Sequence, residues 1–278
     1  MMKNVMIQTH EVWLEMLMAG FISKSDSKQV LIDFSDILFR HFNWLEYAVI
    51  QSEQSYSYDR EPIPIKVEKL SVLLVDITRR LTEIKTALLT IEDEALLGRM
   101  TTDINYMIVT LSHMEDEEVT AFNMERKFPN IDLTPEATDA LTLFLFEETY
   151  KEYELILIYN YLKAHSNDAY MNRIFQILVD ESFFHLKRFG EMGAKMGILA
   201  IPRMVMKELY QVTDVVQFLH DGIEEELAAK EECKKLSDAV GEDSPELSKF
   251  FDFINHQENY HIALMKDALT YYTKEDNV

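Results

Sequence analysis

Two short stretches of this chain place a carboxylate and an imidazole about one helical turn apart among apolar residues. They are Glu181 and His185 in "ESFFH", and Glu258 and His261 in "ENYH". Glutamate and histidine are costly to bury unless something compensates them. Oxygen and nitrogen donors brought together without a thiolate suit iron or manganese, and zinc less naturally where a pair of ions keeps open positions. With His185 at zero on a helical wheel, Ile174, Leu178, Phe189, Met192 and Met196 fall within about 40° of it, and so does Glu181. His261 lies on the stripe of Leu247, Phe250, Ile254 and Met265, with Glu258 about 60° away and still inward.

Two further stretches add carboxylates. In "FLHDGIEEELAAKEEC" the apolar stripe is Val215, Leu219, Ile223, Ala229 and Cys233. Glu226 sits at its centre, Glu225 on its shoulder, and Glu224 faces outward. In "LFLFEETYKEYELILIYNY" Glu147 and Glu148 interrupt an apolar run. Glu148 falls among Leu141, Phe144, Leu155 and Tyr159, while Glu147 lies in line with Glu154, and periodicity leaves the choice open. A single inward Glu or His is more often a core group satisfied by a hydrogen bond. Four segments each supplying the right type is a different matter. Carboxylates so close would repel and take up protons, whereas two divalent ions supply four positive charges against four negative ones. The candidate metal ligands are Glu148, Glu181, His185, Glu226, Glu258 and His261.

These residues need helices to carry them. The 278 residues include only seven glycines and six prolines, and 47% are hydrophobic, which favours helix over sheet. Prolines and polar gaps bound eight segments of 3.6-residue apolar spacing: 7–22, 28–54, 63–89, 95–126, 136–164, 169–197, 203–236 and 245–274. Thr134 before Pro135, and Ser244 before Pro245, read as N-cap followed by N1 proline. Four segments precede "KFPNIDLTPEA" and four follow it. The predicted fold class is all-α, as two tandem antiparallel four-helix bundles over residues 1–128 and 134–278.

The series Glu148, "ESFFH", Glu225 or Glu226, "ENYH" resembles the ferritin-like superfamily of di-metal carboxylate proteins, with rubrerythrin and the bacterial ferritins as relatives. The resemblance covers about 136–274. It implies Glu148 and Glu226 as terminal carboxylates, Glu181 and Glu258 as bridging ones, and His185 and His261 as terminal nitrogen ligands. The chain departs from the family pattern at Ser182, which stands where a Glu-x-x-His spacing requires Glu; a one-residue π-bulge would restore Glu181 to that place. The opening "HEVWLEMLMAGFI" is similar to uncharacterised two-bundle bacterial proteins with ferritin-like halves. In the first half His10 and His41 lie on apolar stripes, and His113 and Glu117 in "LSHMEDEEVTAF" share a face. That stretch resembles the His-x-x-x-Glu-Glu segment of hemerythrin-like metal domains. The segment 63–89 offers no histidine, so the first half reads as a degenerate bundle or a second metal site.

Asp and Glu number 49 against 27 Lys and Arg, a net charge of −22. Such a field repels nucleic acid and anionic membrane surfaces and gathers cations. Cys233 is the lone cysteine, which excludes an intramolecular disulfide and a rubredoxin-like four-cysteine module. No apolar run reaches the length of a membrane span, and a cytoplasmic protein is the simplest expectation. The expected function is a ferritin-like di-metal oxidoreductase, holding two iron or manganese ions, reacting with dioxygen or peroxide and served by an external electron donor. A homodimer is compatible with this. The alternatives are an iron-binding or storage protein without turnover, and a metal-free helical interaction protein.

Overall fold

In the computed structural model, residues 2–63, 69–91, 94–117, 119, 128 and 130–275 are described. Every regular element among them is a helix, and there is no strand. The order is α1 (Met2–Ile22), α2 (Ser25–Gln51), α3 (Leu70–Leu88), α4 (Glu94–Ser112), α5 (Pro135–His165), α6 (Ala169–Lys195), the single turn α7 (Lys207–Tyr210), α8 (Val215–Gly241) and α9 (Pro245–Glu275). None of these helices is long and apolar enough to cross a membrane.

The chain divides into two compact units. The first comprises residues 1–122 and 197–207, and the second 123–196 and 208–278. In the first, α1 packs along α2 and α3, and α3 along α4. Helix α1 is the core element: from Thr9 to Ile22 every residue is buried, including Trp13, Leu14, Met16 and Leu17. Its close approach to α2 depends on Gly20, where a Cβ would sit 2.8 Å from Ile32 Cδ1. In the second unit α5 pairs with α6 and α8 with α9, and α5 also meets α8 as α6 meets α9. The four long helices thus enclose one core, which is what places their inward side chains together.

Local chemistry fixes the helix ends. Thr134 Oγ1 accepts from Ala137 N–H at 3.3 Å with Pro135 at the first position, and Ser244 Oγ accepts from Leu247 N–H at 3.3 Å ahead of Pro245. Asp168 caps α6 through Met171 N–H at 2.8 Å, and Gly197, at φ 74°, ends it in the left-handed conformation.

Three predicted boundaries need correction. Helix α8 starts at Val215, not 203, because Asp214 caps it by accepting from Gln217 N–H at 2.9 Å. Part of the intended helix, 203–207, belongs instead to the first unit, where Arg60 donates to the carbonyls of Pro202 (2.7 Å) and Arg203 (3.2 Å). Helix α3 begins at Leu70 rather than 63; residues 64–68 lie outside those described, and residues 54–63 are non-helical, with Tyr56 and Tyr58 both donating to the buried Glu46. Helix α4 ends at Ser112, because the acidic residues after it serve other backbones; residues 118 and 120–126 of the expected helix lie outside those described. Glu117 Oε1 accepts from Lys24 N–H at 2.7 Å, and Asp116 Oδ1 from Ser71 N–H at 2.9 Å.

Candidate metal centre

The second unit turns one or more polar side chains inward from each long helix. On α5 Glu148 is half-buried and Glu147 exposed. On α8 Glu226 is buried, with Glu224 and Glu225 exposed. On α6 His185 is buried, and on α9 both Glu258 and His261 are. The donor atoms of Glu226, Glu258 and His261 all lie within 4.8 Å of one another, the one such group among the described residues that could close on a single ion.

Glu258 is the hub. Its Oε2 lies 2.9 Å from His261 Nδ1, and its Oε1 lies 3.9 Å from His185 Nδ1. The two imidazole centroids are 5.7 Å apart. His261 Nδ1 is also 3.6 Å from Glu226 Oε1, and His185 Nδ1 is 2.9 Å from Glu152 Oε1. One carboxylate therefore offers an oxygen to each of two nitrogen donors, with a further carboxylate beside each nitrogen.

Glu152 is the residue that sequence reading missed. It is only 5% exposed and stands one turn beyond Glu148. A signal was present: Leu145, Thr149, Ile156 and Tyr159 are all buried, and Glu152 lies on that stripe at the helical repeat.

Glu181 does not join the ring of inward donors. Helix α6 is α-helical without interruption from Ala169 to Lys195, so no π-bulge shifts the register. Ser182 faces the interior at 2% exposure, while Glu181 is half-buried. The Glu181 carboxylate accepts from Gln257 Nε2 at 2.7 Å and lies 3.8 Å from His261 Nε2, on the far side of that ring from Glu258 and Glu226.

The electrostatics report an excess of carboxylate at one buried point. Burial pushes the Glu148 carboxyl up to about 7. Burial and the neighbouring Glu226 push Glu258 up to about 8. Burial also works against the charge of Glu226, but hydrogen bonds from Glu258 and His261 hold its carboxyl below the usual range. Both imidazoles resist the opposing effect of burial. Glu152 and Glu258 raise His185 to about 9, and Glu226 and Glu258 raise His261 to about 11. Burial, with Glu258 nearby, raises the Cys233 thiol, so no thiolate is on offer. A cavity of about 200 Å³ reaches this cluster, walled by Glu148, Lys151, Phe218, Glu226, Glu258 and His261.

The first unit does not assemble its own candidates. His10 is enclosed by Trp13, Phe42 and Tyr58 at centroid distances of 5.5, 4.7 and 6.0 Å, and burial holds its pKa well below the ordinary value. His41 Nε2 pairs with Asp103 at 3.1 Å. His113 is exposed, with Nδ1 donating to Val109 carbonyl at 2.7 Å, and Glu117 is committed to capping. The spacing His113–Glu117 carries no shared helix face, because α4 has ended by then.

No family model matches the chain, and neither a curated protein nor a solved structure matches it.

Proposed function

We propose that the second unit is a ferritin-like four-helix bundle, one of two in tandem, built around a dinuclear iron or manganese centre, and that the protein is an oxidoreductase acting on dioxygen or peroxide. The observation that carries this reading is the position of Glu258, with one carboxylate oxygen toward each inward-facing imidazole nitrogen and Glu152 and Glu226 flanking them.

The residues fit such a centre. Glu226, Glu258 and His261 would hold one ion; Glu152 and His185, sharing Glu258, would hold the other once they close toward that carboxylate, with Glu148 on the cavity wall beside them. All donors are oxygen or nitrogen, as hard to borderline divalent ions prefer. Glu152 Oε2 is buried without a hydrogen-bond partner, and buried carboxylate oxygens left in that state are costly. Bound iron or manganese supplies the electrons that reduce dioxygen or peroxide.

The chain's own residues do the rest. Glu152, Glu226 and Glu258 set the spacing of the donors from three different helices, so the geometry is as rigid as the helix packing. Tyr159 and Phe189 are buried beside the cluster and keep bulk water from it. The cavity gives a molecule of a few atoms access past Lys151 and Glu148. With seven acidic residues on its wall and Lys151 as its single Lys or Arg, it favours neutral oxidants such as peroxide over anions.

The test is metal analysis of protein purified without chelator, beside a Glu258→Ala/His261→Ala variant. The wild type should hold about two ions per chain, as a dinuclear centre requires. Equal content in both proteins would end this reading. Peroxide consumption with an artificial electron donor then separates turnover from storage.

A further inference from the structure

Behind the inward donors lies a second layer of polar groups that the metal reading leaves without a role. Gln257 on α9 reaches across to α6. Its Nε2 donates to Glu181 Oε2 at 2.7 Å, and its Oε1 lies 3.2 Å from His185 Nε2. The same Glu181 oxygen lies 3.8 Å from His261 Nε2. One bridge, Gln257 with Glu181, therefore backs the Nε2 side of both imidazoles.

Resting on the dinuclear reading above, we propose that Glu181 is not a metal ligand but the outer anchor of this bridge. Together with Gln257 it holds both histidines in the tautomer that presents Nδ1 to the metals.

The amide chemistry determines the direction of every bond. An ionised Glu181 can only accept, so the side that faces it must be the Gln257 NH₂ group. The amide oxygen is then turned to His185, and an oxygen there can only accept, so His185 Nε2 must carry the hydrogen. As an imidazolium His185 also donates from Nδ1 to Glu152; once a metal ion displaces that proton, the neutral ring keeps its one hydrogen on Nε2 and turns the Nδ1 lone pair to the side of Glu152 and Glu258. The Glu181 oxygen poses the same condition for His261, whose buried Nε2 has no hydrogen-bond partner at normal length. A modest closure toward Glu181 would complete it. Outer partners of this kind fix ring orientation and are worth about 10–100-fold in metal affinity. The departure at Ser182 now has a consequence. With Ser at the inward position of α6, the carboxylate next to it is free to serve outside the ring of ligands.

Three variants separate an anchor from a ligand: Glu181→Gln, Glu181→Leu and Gln257→Leu. A glutamine at 181 still offers an oxygen to the Gln257 amide but is a poor substitute for a bridging carboxylate. Titration of each chelator-treated protein with Mn(II), followed by calorimetry, should show Glu181→Gln binding two ions within about threefold of wild type. Both leucine variants should weaken binding about 10–100-fold, with circular dichroism confirming their helix content. In Zn(II)-loaded protein, long-range proton–nitrogen NMR correlations should place the metal on Nδ1 and the hydrogen on Nε2 of both rings. Loss of binding in Glu181→Gln as severe as in Glu181→Leu would make Glu181 a ligand and overturn the proposal. So would metal on Nε2 in the wild type. A wild type that binds no Mn(II) at all overturns the dinuclear reading itself, which is a separate outcome.

Discussion

Both units bury carboxylates four residues apart on their first helix, and they compensate them differently. In the first unit α1 turns Glu11 and Glu15 inward, and α3 answers with Arg80, whose guanidinium lies 3.0 Å from Glu11 and 3.5 Å from Glu15. In the second, α5 turns Glu148 and Glu152 inward, and α8 answers with another carboxylate, Glu226, while α6 and α9 add imidazoles. A fixed guanidinium supplies the counter-charge, even with Glu15 Oε1 left without a hydrogen-bond partner, and it opposes ion binding, because a divalent cation would have to displace a charge tethered to the backbone. Imidazole can give up a proton and become a donor. An acidic core is thus not in itself a metal site; the chemistry of its counter-charge decides.

This contrast can be broken most directly at the hub. Glu258→Ala/His261→Ala should remove nearly all bound metal from the second unit, read by elemental analysis, while leaving the folding of the first unit intact. If metal content survives, the two cores do not differ in the way argued. Next in size is Arg80→Leu. Leaving Glu11 and Glu15 buried without their cation should destabilise the first unit by about 3–5 kcal/mol, measured by urea unfolding followed through Trp13 and Trp44 fluorescence. A loss under about 1 kcal/mol would mean that the pair is solvated after all.

Metal itself sharpens the comparison. Mn(II) at about 100 times its dissociation constant should add about 2.7 kcal/mol to the opening free energy of the second unit. Hydrogen exchange should show slower exchange in α5, α6, α8 and α9 and no change in α1 to α4. The smallest effect concerns pH. Burial raises Glu15 from 4.5 to about 7, with Arg80 opposing the rise. An acid whose folded pKa is raised contributes stability that is present below its unfolded value and lost as pH rises through the folded one. The first unit should therefore weaken by about 2 kcal/mol between pH 5.5 and 7.5. Glu15→Gln should flatten that slope, which parallel unfolding curves at the two pH values would test.

The sequence by itself determined the all-α class, through scarce glycine and proline and sustained 3.6-residue periodicity, and it placed the caps at Thr134 and Ser244. It also pointed at Glu226 and His261, because each lies at the centre of an apolar stripe on its own helix. The inward turn of Glu148 rather than Glu147, Glu152 as the partner of His185, and the outward service of Glu181 were decided only by the tertiary structure. So were the late start of α8 and the early end of α4. The reason is physical. A helical wheel reports the face a residue occupies on one helix, whereas a site forms from the level at which four helices meet and from the partner each polar atom finds there. Spacing along one chain segment carries the first kind of information and none of the second.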